Sequence, residues 1–111
     1  MFESLERRAM LAAEKYLIRR GYEIEHVDDL GMIIVAWDED DLVIADVSIS
    51  GDTDGDFPAG RDRKSMERYA LSWLSTHEVG PDFRVRLDSI CMVVIGSDRA
   101  MIRHEIGAGR F

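Results

Sequence analysis

The chain has 111 residues, 46% of them hydrophobic, which suits one domain with a modest core and excludes a disordered chain. No apolar run approaches the ~18 residues of a membrane-spanning helix. The charged start, Met1-Phe2-Glu3-Ser4-Leu5-Glu6-Arg7-Arg8, lacks the apolar stretch of a signal peptide, so a cytoplasmic location and no membrane partner are expected.

The net charge of -8 is unevenly spread. Residues 23–60 hold twelve acids and no Lys or Arg, whereas residues 61–111 hold nine bases against seven acids. Acidity of this kind repels phosphate backbones unless bases neutralise it locally. Cys91 is the only cysteine, which excludes an internal disulfide. Its apolar neighbours mark it as a small buried hydrophobe.

In chain order, residues 4–20 predict an amphipathic helix, with Leu5, Ala9, Ala12, Ala13, Tyr16 and Leu17 on one face, Ser4 as its cap and Gly21 as its exit. Tyr22, Ile24 and His26 alternate with Glu23 and Glu25, the pattern of a strand with one wet face. A turn at Asp28-Asp29-Leu30-Gly31 leads to a short apolar strand over 32–37, and Asp38-Glu39-Asp40-Asp41 turns into a third strand over 42–49. These three strands are expected to form an antiparallel meander. A Gly/Asp/Pro loop fills 50–60, and a second helix spans about 62–76 with Met66, Tyr69, Ala70, Trp73 and Leu74 on its apolar face. Strands are expected near 83–95, kinked at Asp88-Ser89, and at 100–106. The expected domain covers 1–106, followed by a flexible tail at 107–111. The resulting α–β–β–β–α–β–β order is an α+β layout, a mixed sheet flanked by helices in an α/β sandwich.

Asp46 is the singular residue. It stands in the middle of the run Leu42-Val43-Ile44-Ala45-Asp46-Val47-Ser48-Ile49, with Ser48 two residues on and therefore on the same face. A carboxylate in a strand core is costly unless a partner, a proton or a metal satisfies it. Other motifs fail. Asp52-Thr53-Asp54-Gly55-Asp56 resembles the front of a calcium loop, but its glycine comes one residue early and Arg63 stands where the loop closes with glutamate. His26, His77 and His104 make no zinc spacing, and no Gly-x-Ser-x-Gly elbow surrounds any serine. Arg61, Arg63, Lys64 and Arg68 form the one compact basic cluster, either a phosphate contact or a counterweight to the acidic middle third.

Several short matches then coincide. Ala13 with Tyr16-Leu17 and Gly21-Tyr22, the strand around Asp46, Phe57-Pro58, Lys64, Ala70, Trp73-Leu74, Arg86-Leu87-Asp88, and Ile102, His104 and Ile106 fall in order along nearly the whole chain. This set resembles the YraN family, a bacterial group of endonuclease-like proteins. The resemblance implies a restriction-endonuclease-like core with a degenerate active site. The family's first-helix glutamate falls at Met10, its metal-binding aspartate at Ile33, its strand glutamate at the shorter Asp46 and its lysine at Ser48. One suitable group of four remains.

The resemblance leaves three functional readings. The first is a catalytically inactive nuclease-fold protein that associates with DNA or a nucleoprotein through the basic cluster. The second is a protein-interaction or structural module, with a protein partner or as a homodimer, whose former site is repacked. The third is an active endonuclease in which Lys64 replaces the lysine and Asp28, Asp29 or Glu14 supplies a migrated acid. No cofactor is expected except Mg²⁺ in that third reading, where Asp46 is a metal ligand.

Overall fold

A computed structural model describes residues 4–50, 57–95 and 99–110; the calcium-loop-like motif at 52–56 and the turn predicted at 96–98 lie outside them. The order is α1 (Leu5–Arg19), β1 (Glu23–Asp28), β2 (Ile33–Asp38), β3 (Asp41–Ser50), α2 (Arg63–Thr76), β4 (Arg84–Ile95) and β5 (Arg99–Arg110). The predicted α+β class and element order therefore hold. The strands form one mixed five-stranded sheet in sequential order. β1, β2 and β3 make the antiparallel meander, β3 and β4 pair in parallel through the α2 crossover, and β5 returns antiparallel.

Local chemistry sets the helix ends. Ser4 caps α1 by accepting the Arg7 N–H at 3.1 Å. At the other end the Tyr22 N–H donates to the Leu17 carbonyl and the Gly21 N–H to that of Ile18, both at 3.0 Å. This Schellman closure puts Gly21 at φ +89°, where a side chain would be strained. Asp62 caps α2 by accepting the Ser65 N–H at 2.9 Å.

Strand alternation divides the core into two layers. Ala9, Met10, Ala13 and Leu17 of α1 pack on Ile34, Ala36, Val43, Ala45 and Val47. On the other face, Met66, Ala70 and Trp73 of α2 pack on Ile33, Val35, Leu42, Ile44 and Leu87. Asp46 and Ser48 share strand parity with Leu42 and Ile44 and so belong to the α2 face.

Two predicted details are corrected. His26 is exposed, because a bulge between Ile24 and His26 shifts the alternation and turns Val27 inward instead. The flexible tail predicted at 107–111 is strand as far as Arg110. A register shift between Leu87 and Ser89, Gly107 at φ +66° and a 2.9 Å bond from the Gly107 N–H to Asp88 Oδ1 carry β5 past Ile106.

Candidate functional site

Asp46 is 1% exposed, and its carboxylate is met by three donors. Ser89 Oγ donates to Oδ1 at 2.6 Å. The Arg61 backbone N–H donates to Oδ2 at 2.9 Å, and Ser48 Oγ reaches the same oxygen at a longer 3.3 Å. Ser89 is the register partner of Asp46 across the parallel pair, and Arg61 sits just before α2. The residues Asp46, Arg61, Arg63, Met66, Leu87, Asp88 and Ser89 line a niche of about 50 Å³, room for a water molecule but too small for a nucleotide.

The sheet register defines what surrounds this acid. Asp28, Ile33, Asp46, Ser89 and Glu105 form one row across all five strands. Ile33 is thus directly opposite Asp46, fully buried and packed in the α2 layer. Asp28 is two strands from Asp46, about 9–10 Å by ordinary strand spacing, and is already engaged. The Gly31 N–H holds its carboxyl below the usual carboxylate range against the opposing effect of burial, aided by a 3.0 Å bond from Tyr69 OH. Burial and the same bond push Tyr69 up to about 12. Asp29 pairs with Arg7. Met10 is buried in the α1 layer, on the sheet face opposite Asp46.

The donor set around Asp46 does not match what Mg²⁺ requires. The ion takes near-octahedral oxygen ligands, usually with two or more carboxylates or substrate phosphates. Here one carboxylate has both oxygens occupied by hydroxyl and amide donors, an isoleucine faces it, and the other acids of its row, Asp28 and Glu105, are each two strands off. Among the described residues no group of three or more His, Cys, Asp and Glu is arranged to hold a metal. Lys64 is exposed and does not line the niche, so the migrated-lysine role is not met by this geometry.

The basic cluster has a clearer position. Arg63 and Lys64 occupy the first turn of α2, with no acid in that turn. Arg63 pairs with Glu67 at 2.6 Å, and Arg61 Nη2 donates to the Gly31 carbonyl at 2.6 Å. Lys64 and Arg68 are exposed and make no ion pair among the described residues. Within the acidic middle third, the Arg61 charge helps to hold the Asp28 carboxyl low. Asp29, Asp38 and Asp41 are paired by Arg7, Arg84 and Arg86.

A second polar centre, on the α1 face, was not legible as such in the sequence. Arg86 binds Asp88 with Nε and Nη2 at 2.9 and 3.0 Å, Asp38 with Nη1 at 2.9 Å, and the Tyr22 hydroxyl with Nη2 at 2.7 Å. His104 Nε2 donates to Asp88 Oδ2 at 2.7 Å, and its Nδ1 lies 3.1 Å from Tyr16 OH. Burial alone pushes the Asp88 carboxyl up, but bonds from His104, Arg86 and the Gly107 N–H outweigh it and hold the acid low. The i, i+2 spacing of Arg86 and Asp88 in an apolar strand is the signal that points here, since it sets both on one face.

Comparison of the chain with known protein-family models gives no match, and comparison with curated proteins gives none either.

Proposed function

We propose that this chain is a catalytically silent restriction-endonuclease-like protein of the YraN type, which associates with nucleic acid through Arg61, Arg63, Lys64 and Arg68. The observation that carries the reading is the cation pair in the first turn of α2. Both stand at the positive end of the helix dipole; Glu67 offsets this at Arg63, while Lys64, with no ion pair among the described residues, bears a cost of about 0.3–1 kcal/mol. Phosphates approaching that turn would relieve the cost and would meet the exposed Lys64 and Arg68 as well. Ile33 opposite Asp46 supports the ancestry, because an aspartate there would stand beside the strand acid and share a metal with it. Loss of that acid, with Ser48 for lysine, supports loss of cleavage.

The test is fluorescence anisotropy with a branched DNA and a partly single-stranded DNA. Binding is expected at about 50 mM salt and about a hundredfold weaker at about 200 mM if four phosphates are contacted. Lys64→Glu/Arg68→Glu should abolish it. Absence of binding at the lower salt overturns the proposal. Cleavage with Mg²⁺ or Mn²⁺ that Asp46→Ala removes would restore the active reading.

The second reading, an interaction module or homodimer, draws on the outer edge of β5. β5 is an edge strand that carries the exposed Met101 and Ile106. A sedimenting mass of two chains, with no DNA binding, would favour it.

A further inference from the structure

We propose a second binding site, a groove between α1 and the β4–β5 half of the sheet that takes a single-chain aliphatic anion, a long-chain carboxylate or alkyl phosphate. The groove measures about 520 Å³, within the ordinary range of small-ligand sites. It exists because α1 packs chiefly over β1 and β3 and leaves β4 and β5 bordered on that face. It lies across the sheet from the basic cluster at α2 and does not depend on nucleic-acid binding.

Its floor is aliphatic: Ala9 and Ala12 from α1, Met92 and Val94 from β4, and Ile102 from β5. The alanines keep it open, since larger side chains on that helix face would fill it. Its rim carries Arg8, Lys15, Arg19, Arg20 and Arg99, and no acid is among the described lining residues. In a chain with 22 acids and 14 bases, this local composition is the reverse of the whole. Lys15 and Arg19 are like charges at i, i+4, a repulsion that a bound anion would remove.

The floor also decides the tail. A nucleic-acid base would need an open aromatic face to stack on. Among the described residues the one aromatic ring lining the groove is Tyr16, and the Arg20 guanidinium lies over it, 4.9 Å from the centroid. The Tyr16 hydroxyl is also engaged, by His104. Methylenes on an alanine and methionine floor, with the anionic head among the arginines, satisfy both halves of the groove.

The test is isothermal titration calorimetry with dodecanoate and with dodecyl phosphate, each below its micelle concentration. Dodecanol and dodecyltrimethylammonium are the same-chain controls. One anion should bind per chain, and the preferred head group distinguishes carboxylate from phosphate as the natural source. Arg19→Glu/Arg99→Glu should weaken binding about tenfold or more, because it replaces attraction by repulsion at the head. Ala12→Trp should block the groove; should it fail to fold, the exposed charge reversals still decide the question. The proposal is overturned if neither anion binds, if dodecanol or the cation binds equally well, or if the charge reversals leave affinity unchanged. It is also overturned if a short single-stranded oligonucleotide competes for the groove and binds more tightly than either anion.

Discussion

Ser89 Oγ donates to Asp46 Oδ1 at 2.6 Å between register partners of the parallel β3–β4 pair, so a hydroxyl from the far side of the crossover satisfies the buried acid. With the Arg61 N–H it ties the loop before α2 to the centre of the sheet. Ser89→Ala should therefore cost about 1–3 kcal/mol, the usual penalty for a buried acceptor that loses a donor. Ser48→Ala should cost less, because its bond is longer and the residue is only half-buried. Urea midpoints at neutral pH measure both, and equal losses would contradict this ranking.

Gly60 belongs to the same arrangement through sterics. A Cβ at this position would stand 2.5 Å from Ser89 Oγ and 3.0 Å from Ser89 Cβ. Gly60→Ala should destabilise by about 1–3 kcal/mol, as overpacking does. In a Ser89→Ala background the closest clash is absent, so the same change should cost measurably less. The double-mutant cycle reads that coupling, and strict additivity would refute the close approach.

What was legible in the sequence is what short-range chemistry decides. α1 follows from Ser4, a repeating apolar face and Gly21, all within one segment, and the meander follows from turn residues between apolar runs. The partners of Asp46 divide the same way. Ser48, two residues on, was readable from strand parity, whereas Ser89 and the Arg61 N–H are 43 and 15 residues away and meet it only through the α2 crossover. Gly107-Ala108-Gly109 reads as a tail because glycine is a poor strand former; Asp88, 19 residues distant, holds the Gly107 N–H and keeps the segment in the sheet. His26 departs from the simple alternation because the bulge after Ile24 leaves no local mark in the sequence.

Asp88 makes the stability of the chain depend on acid. Its carboxyl is fully buried and held below the ordinary value of 3.8, so the unfolded chain takes up its proton first as the pH falls. The stabilisation is complete above the unfolded value and is lost as the pH drops from ~5 through the folded value. Asp88→Asn should lose about 3–5 kcal/mol at pH 7, since Arg86 and His104 remain without their shared partner. Its deficit against the natural chain should shrink below about pH 4. Asp28, also held low, keeps part of the acid limb in the variant. Urea titrations at several pH values test this, and parallel stability curves for the two proteins would exclude it.

Ile33→Asp examines whether the row beside Asp46 can accept a second carboxylate. Ile33 has no exposed surface and packs in the layer with Met66, Ala70 and Trp73. A charge there has no donor to replace the apolar contacts, and the Asp46 carboxylate opposite would repel it. The expected loss is at least about 3–5 kcal/mol, in the range of severe core substitutions. Divalent metal is the discriminating ligand, because anything that binds only the folded state raises Tm in proportion to its affinity. Millimolar Mg²⁺ or Mn²⁺ should leave the Tm of Ile33→Asp unchanged, since Ser89, Ser48 and the Arg61 N–H already occupy the Asp46 oxygens. A metal-dependent rise in Tm that Asp46→Ala then removes would show that the pair assembles a metal site, and would reverse the conclusion that this part of the sheet is core.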